Sequence, residues 1–347
     1  MNRKAIPLIL SWVFWSIGYY LFYPFLSIFL SKIFNESEIP KFYLISQFFG
    51  ISLPIIGGIL GEKIGYKNTI IISMSLSGMG LILLSFSYDF TSALLFQFVY
   101  YLYALSLPNY YLYLSSMGKG YISLTWGYSI LPSLICPYLG GLIAENFGIR
   151  TIFIFAGIFF ITSALPIFHI HNITVNKIVY NNYIKINLKL KKLFIPLICI
   201  IPIAVVSPFI YLYVYNKYNL HYIEIGILST LAEILGMVLV FLHYKLKKTK
   251  HLLITSLILF SLIVLTYYTP FTVIFFGLWE SIIPLSLEYT IPKDSPKLIS
   301  VINSLQSIAW LIGYLISYLV NTPDLLIILS SMLTLVIAIV INSIKNQ

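Results

Sequence analysis

Residues 58–68 read Gly-Ile-Leu-Gly-Glu-Lys-Ile-Gly-Tyr-Lys-Asn and join two long apolar runs, 42–61 and 68–87. Each run has about the 20 residues that a helix needs to cross the hydrocarbon core of a bilayer. Within the turn, Gly65 permits a tight change of direction, and Gly58 is expected to allow two helices to approach closely. The stretch therefore predicts a hairpin of two membrane helices with a minimal polar connection.

The rest of the chain has the same apolar character. Hydrophobic residues make up 59% of the 347 residues and charged residues 9%, against about 25% charged residues in a typical soluble domain. The mean hydropathy is +0.94. This composition argues against a water-soluble enzyme and predicts an all-α integral membrane protein, because lipid cannot satisfy exposed backbone polar groups.

Twelve apolar runs are candidate membrane helices, separated by short polar or Pro/Gly segments. They are 6–31, 42–61, 68–87, 91–116, 121–145, 150–169, 193–215, 223–244, 251–268, 270–291, 298–320 and 323–343. The break between the ninth and tenth runs rests on residues 267–270. The longest polar stretch, 169–192, predicts a cytosolic linker between an N-terminal half, 1–168, and a C-terminal half, 193–347.

The basic residues alternate from side to side along this arrangement. With the N-terminus in the cytosol, all but four of the 21 Lys and Arg residues fall on the cytosolic side. The four exceptions are Lys32, Lys41, Arg150 and Lys217. The positive-inside rule then places both termini in the cytosol. The net charge of +10 therefore reflects topology, and we expect no nucleic-acid partner. A multi-pass monomer in the plasma membrane is the simplest expectation.

The turn at 58–68 resembles the major facilitator superfamily pattern Gly-x-Leu-small-acid-base-x-Gly-base-base, with Glu62 for the usual Asp and Tyr66 for one basic residue. The resemblance implies twelve helices in two six-helix halves, related by a pseudo-two-fold axis along the membrane normal. It also implies a gating motif, whose members here are Gly58, Gly61, Glu62, Lys63, Gly65 and Lys67. In such a motif the acid, Glu62, latches the halves by meeting the start of the eleventh helix, near 296–298.

A second resemblance lies in the fifth run. Residues 136–141, Cys-Pro-Tyr-Leu-Gly-Gly, are similar to the Gly-Pro-x-x-Gly-Gly element enriched in drug:proton antiporters of the superfamily. Pro137, Gly140 and Gly141 therefore predict a helix bend, with two interpretations open: simple helix packing, or an antiport signature. The buried Arg that many efflux members carry in the fourth helix is missing, since 91–116 contains neither Arg nor Lys.

Two acidic residues lie deep inside predicted helices. Glu233 and Glu280 are each about ten residues into their runs, or about 15 Å deep, and no run holds a basic residue at that depth. An unpaired carboxylate there costs several kcal/mol, so each must be protonated, bonded to a neighbour or open to a wet cavity. The resemblance puts the tenth helix at the cavity, which makes Glu280 the best candidate for proton coupling or cation binding. Glu233 follows, and Glu288 is expected at the interface.

Further substrate or coupling candidates are aromatic and polar residues near the same level. They are Trp279, Asn109, Tyr101, Tyr211 and Gln306. Aromatic walls beside a carboxylate suit an amphipathic or cationic solute. The sequence has no metal-ligand spacing, and Cys136 and Cys199 are interpreted as buried hydrophobes. It also lacks a phosphate-binding loop, so we expect no cofactor and no direct use of ATP.

These features together predict a secondary active transporter that works by alternating access. Proton-coupled export of a small amphipathic or cationic compound is the leading interpretation, and uptake of a nutrient such as a sugar or organic acid is the alternative. A non-transporting receptor or scaffold is disfavoured by the buried acids. A membrane-embedded enzyme acting on lipid would need an interfacial catalytic cluster, which the sequence does not offer, so we expect no enzymatic activity.

Overall fold

The computed structural model describes residues 5–117, 121–170, 190–246, 248–290 and 296–344, and their side chains except at 115, 122–123, 190–193, 243–244 and 296–304. Throughout these ranges the regular structure is helical, and eleven helices are long and apolar enough to cross a membrane. These are α1 (Ile6–Leu30), α2 (Glu36–Ile64), α3 (Tyr66–Leu84), α4 (Phe90–Leu114), α5 (Leu124–Phe147), α6 (Ile149–His169), α7 (Phe194–Lys217), α8 (Tyr222–Leu242), α9 (Thr249–Tyr267), α10 (Pro270–Thr290) and α12 (Pro323–Ser343).

Between α10 and α12 lies α11 (Pro296–Val320), and its part with described side chains, Leu305–Val320, is apolar. The predicted all-α membrane fold with twelve helices is thus confirmed. The uncertain break at 267–270 is present, because α9 ends at Tyr267 and α10 begins at Pro270. The largest difference is in α2, which begins before the predicted residue 42, at a short 3₁₀ turn.

Several helices are interrupted near their middle by a tighter turn. Such 3₁₀ segments occupy Tyr23–Phe25 in α1, Leu102–Leu105 in α4 and Leu131–Leu134 in α5. Pro24 and Pro132 lie in two of these segments, where the missing N–H removes one rung of the helical hydrogen-bond ladder. The regular α-helical hydrogen-bond pattern is therefore interrupted within α1, α4 and α5.

The packing of the helices repeats with an offset of six. α1 packs on α6 as α7 packs on α12, and α3 packs on α6 as α9 packs on α12. In the same way α2 contacts α4 and α8 contacts α10. The contact between α5 and α8 has its counterpart between α11 and α2. This repetition is what a pseudo-two-fold axis along the membrane normal requires.

One end of the bundle carries four of the 21 basic residues, Lys32, Lys41, Arg150 and Lys217, and we call it the lysine-poor end. The opposite end is the lysine-rich end. At the lysine-poor end the two sets of six helices are bonded to each other. Asn216 of α7 donates to the Glu36 carboxylate of α2 at 2.9 Å, and Asn321 beyond α11 donates to the Ser37 carbonyl at 3.1 Å. These bonds close the bundle at its lysine-poor end.

The contacts between the two sets of helices concentrate toward this same end. α8 packs against the Cys136–Phe147 part of α5, and α11 packs against the Ile39–Gly50 part of α2. On the opposite, lysine-rich side, a Cβ added to Gly58 in α2 or to Gly127 in α5 would have no atom of the described residues within 4 Å. Among the described residues, the two sets of helices therefore meet most closely at the lysine-poor end.

Candidate functional site

The two deeply buried acids of the sequence lie on adjacent helices. Glu233 near the middle of α8 is 0% exposed, and Glu280 in the middle of α10 is 2% exposed. Two glycines let the helix backbones touch at this point. A Cβ on Gly277 would lie 2.0 Å from the Ala232 carbonyl oxygen, and a Cβ on Gly236 would lie 2.2 Å from the Gly277 carbonyl oxygen. Because the backbones are this close, the two carboxyl groups are brought into one buried pair.

Each carboxyl group of the pair accepts a hydrogen bond from an uncharged aromatic side chain. The Tyr20 hydroxyl of α1 donates to Glu280 Oε1, and the Trp279 indole Nε1 donates to Glu233 Oε1 at 3.3 Å. Glu233 Oε2 is buried without a partner among the described residues. Glu280 faces α8 one helical turn from Glu233, since a Cβ on Gly236 would lie 3.0 Å from Glu280 Cβ.

The carboxyl pair has no basic partner in the described part of the chain. Among the residues whose side chains the structure describes, no Lys or Arg forms an ion pair with Glu233 or Glu280. Buried carboxylates are normally stabilised by a paired cation or by protonation. The arrangement therefore provides a site for a proton, for a cationic group, or for each in turn.

A row of aromatic rings on α1 leads away from the carboxyl pair. Trp15 stacks on Tyr19 with ring centroids 5.7 Å apart, and Tyr19 stacks on Tyr23 at 5.0 Å. Tyr23 in turn contacts Trp279 at 6.0 Å and Tyr211 of α7 at 6.5 Å. All three α1 rings are half-buried. The row thus places polarizable ring faces beside the acids, where they can attract a cation.

Three of the predicted candidates lie elsewhere. Asn109 donates to the carbonyl oxygens of Gly57 at 3.1 Å and of Leu105 at 2.9 Å, which ties α4 to α2. The ring of Tyr101 covers Gly50 of α2, since a Cβ there would lie 2.6 Å from the ring.

Gln306 on α11 has a buried Nε2 without a partner among the described residues, and its side chain bonds to neither carboxyl group of the pair. The next residue, Ser307, accepts a hydrogen bond from Gln47 of α2 at 3.1 Å. Of the seven predicted candidates, the structure therefore brings four together: Glu280, Glu233, Trp279 and Tyr211.

Sequence reasoning missed the role of three neighbours. Nothing in the sequence distinguishes Tyr20 from the other tyrosines of α1, although it is the hydrogen-bond donor to Glu280. Gly236 and Gly277 each stand three residues from one of the acids. A small residue one helical turn from a buried acid is a signal of close helix approach, and it was available in the sequence.

The turn of the gating motif has the predicted geometry at Gly65, whose φ is +94°, a conformation that favours glycine. Gly61 packs against Asn109. The predicted role of Gly58 in close helix approach stays a prediction, since a Cβ there meets no atom of the described residues within 4 Å; the close contact with α4 is made by Gly57, where a Cβ would lie 2.2 Å from the Leu105 carbonyl oxygen. The register of the helix turns Gly57 and Gly61, which are four apart, toward the same neighbour.

The charged residues of the motif have different surroundings. Lys67 donates to the Phe168 carbonyl oxygen at 2.7 Å, so it satisfies the C-terminal end of α6. Glu62 and Lys63 are exposed. The predicted latch of Glu62 to 296–298 falls on side chains outside the described part of the chain.

The predicted bend in α5 coincides with a break in the helix. A 3₁₀ turn at Leu131–Leu134 is followed by a new helix that starts at Cys136 and has Pro137 in its first turn. A Cβ on Gly140 would lie 2.3 Å from the Leu21 carbonyl oxygen of α1, and one on Gly141 would lie 2.6 Å from the Tyr222 carbonyl oxygen of α8. The element therefore serves close packing between α5 and both neighbouring helices.

The fold and the central site define a multi-pass membrane protein with a polar site between its two sets of helices. A family model described as Major Facilitator Superfamily matches residues 8–318, so the chain belongs to that superfamily and is a membrane transporter. A comparison with curated protein sequences gave no match.

Solved transporter structures share the fold. A POT family transporter, PepTSo, superimposes with a TM-score of 0.74 at 12% identity, covering 99% of this chain and 97% of that one. The nucleoside transporter NupG gives a TM-score of 0.68 at 14% identity, with coverages of 99% and 100%. The human organic anion transporter MFSD10 (TETRAN) gives 0.70 at 10% identity, with coverages of 98% and 100%. At these identities the similarity concerns the fold alone.

Proposed function

We propose that this protein is a proton-coupled exporter of a small amphipathic or cationic compound. One observation carries the proposal: two buried carboxyl groups, Glu233 and Glu280, lie together and are bonded only to neutral donors, Trp279 and Tyr20, among the described residues. If protons and the substrate compete for these two carboxyl groups, the protein exchanges protons for substrate across the membrane. A proton that binds displaces the cation, and a cation that binds displaces the proton.

The physical basis is the cost of burying negative charge. An unpaired carboxylate inside the membrane costs several kcal/mol, which binding of either a proton or a cation removes. Aromatic faces at Tyr23 and Trp279, 6.0 Å apart, add cation–π attraction of about 0.5–2 kcal/mol and favour an apolar body on the substrate. A strongly anionic substrate would find no basic partner in the described part of this site.

The topology supports a site that loads from the cytosol. Under the positive-inside rule the lysine-poor end faces the outside and both termini lie in the cytosol, here of a plasma-membrane protein. The bonds of Asn216 and Asn321 close the outer end. We infer that residues 1–168 and 193–347 are the halves that rock about the pair, joined by the linker 169–192, and that the monomer is the working unit.

Uptake of a nutrient such as a sugar or organic acid is the second candidate. It is favoured by the absence of Lys and Arg from the described residues of α4, and by the packing role of Gly140 and Gly141. Many efflux members carry a buried Arg in the fourth helix, and this chain lacks it. The packing of Gly140 and Gly141 accounts for the Cys-Pro-Tyr-Leu-Gly-Gly element of α5 without any role in antiport.

The test is substrate-evoked proton movement in proteoliposomes with an imposed pH gradient. Wild type is compared with Glu280→Gln across a panel of lipophilic cations that includes tetraphenylphosphonium. Glu288→Gln is the matched control, because Glu288 is on the same helix but exposed. We expect proton movement in wild type and Glu288→Gln and its loss in Glu280→Gln. Equal movement in all three proteins would remove Glu280 from the pathway, and movement evoked only by sugars or organic acids would establish the second candidate.

A further inference from the structure

The hydrogen bond between Tyr20 and Glu280 crosses the middle of the molecule. Tyr20 lies on α1 and Glu280 on α10, so the bond joins the first six helices to the last six at the level of the carboxyl pair. Tyr20 is buried, at 5% exposure, and its neighbour Tyr19 belongs to the half-buried aromatic row. The bond is therefore a direct link between a buried acid and the contact between the two sets of helices.

We propose that Tyr20 is a positioning residue that locks the empty transporter: it holds the halves together while Glu280 is ionised and unoccupied, and it releases them when a proton or a cation occupies that carboxyl group. This inference rests on the proposed function of the site. It adds the element through which occupancy of the acid controls the conformational change.

The strength of the bond depends on the charge of Glu280. A hydroxyl that donates to a carboxylate forms a charge-assisted hydrogen bond, roughly twice as strong as one between neutral groups. When Glu280 takes up a proton, the acceptor becomes a neutral carboxylic acid and this advantage is lost. A bound cation competes for the same oxygen. In both cases the lock weakens and the halves are free to move.

Among the described residues around Glu280, Tyr20 is the one that donates a hydrogen bond to its carboxyl group from the other set of six helices. The titratable groups facing Glu280 are Tyr19 and Tyr20 from α1 and Glu233 from α8. Glu233 accepts from Trp279, and no described Lys or Arg pairs with Glu280. A lock that engages only in the empty, ionised state prevents the unloaded transporter from changing between its inward-facing and outward-facing forms. This is the condition for coupled exchange without leak.

The test uses Tyr20→Phe, which keeps the ring and removes only the hydroxyl. Tyr110→Phe is the matched control, because it also removes a buried tyrosine hydroxyl, one that is hydrogen-bonded to Ser11 within the first six helices. Spin labels are placed at the lysine-poor end on Ser37→Cys and Leu319→Cys, which are exposed. Both native cysteines are buried. Pulsed electron paramagnetic resonance then measures the distance between the two labels at pH 8 and pH 5. The closed form is the population in which the lysine-poor end is shut and the labels are close together.

In wild type and Tyr110→Phe we expect more of the closed form at pH 8 than at pH 5. In Tyr20→Phe the ratio of closed to open forms at pH 8 should fall by about tenfold, the effect of losing one hydrogen bond to a charged group, and the pH dependence should largely disappear. His221 and Glu145 also meet at 3.4 Å at the same end and are the same in all three proteins, so the comparison between variants is decisive. Wild-type behaviour in Tyr20→Phe would overturn the inference.

Transport separates this inference from the proposed function. Downhill movement of tetraphenylphosphonium without a proton gradient should be faster in Tyr20→Phe than in wild type and Tyr110→Phe. If wild type moves protons with substrate but Tyr20→Phe stays fully coupled, the lock is wrong and the exporter stands. If no substrate evokes proton movement in wild type but the closed population still depends on Tyr20 and pH, the exporter is wrong and the lock stands.

Discussion

Replacing Gly277 with alanine places a methyl group where α8 and α10 touch. The new Cβ would lie 2.0 Å from the Ala232 carbonyl oxygen and 2.1 Å from its carbonyl carbon, more than 1 Å inside ordinary van der Waals contact. Since the obstructing atoms are backbone, the helices must separate. Overpacking of this kind costs about 1–3 kcal/mol. We expect a lower melting temperature and loss of substrate-evoked proton movement, because Glu233 and its hydrogen-bond donor Trp279 are on the two separated helices.

Gly127→Ala is the matched control, because a Cβ on Gly127 in α5 would meet open space among the described residues. Alanine there should leave the melting temperature unchanged or slightly higher, since glycine in a helix is less stable than alanine by roughly 0.5–1 kcal/mol. The assay is thermal unfolding of purified protein, followed by transport in proteoliposomes. If Gly277→Ala matches wild type in both, α8 and α10 do not pack as described and the carboxyl pair does not exist in this form.

Asn109→Ala should lower the melting temperature, because it removes one hydrogen bond to the Gly57 carbonyl group of α2 and one to the Leu105 carbonyl group within α4 itself, worth about 1 kcal/mol each. It should leave the number of protons moved per substrate unchanged, and a changed ratio would return Asn109 to the coupling site. At the start of α4, the Ser92 hydroxyl and backbone N–H donate to Asp89 and hold the pKa of its carboxyl group below the ordinary value. This cap should contribute fully above about pH 4 and be lost as pH falls below it. The melting temperature of wild type should then fall more steeply below pH 4 than that of Asp89→Asn, and parallel curves would show that the cap contributes nothing.

The helices could be predicted because their signal is local. About 20 apolar residues in succession define a membrane helix regardless of what packs around it, so even the break before Pro270 was predicted correctly. The turn at Gly65 was predicted for a similar reason, since a positive φ is a property of one residue. Glu233 and Glu280 could likewise be recognised as unusual from their positions in the apolar runs.

Which residues meet across helices could not be predicted from such signals. Glu233 and Glu280 belong to different helices, and their pairing depends on how α8 and α10 rotate against each other. The same holds for Asn109, which sits at the correct depth but faces α2. The gating motif shows the same difficulty on a smaller scale. Gly57 packs against α4, whereas the adjacent Gly58 points in another direction, and the sequence does not say which of two neighbouring glycines faces a given helix.

The most direct test of the carboxyl pair is proton release on cation binding to purified protein in nanodiscs. Tetraphenylphosphonium is added to a weakly buffered sample with a pH indicator, and binding is measured in parallel by equilibrium dialysis. We expect wild type to release protons as the cation binds, and the double variant Glu233→Gln/Glu280→Gln to bind weakly and release none. Binding by wild type without proton release, or equal release from the double variant, would contradict competition between protons and a cation at this site.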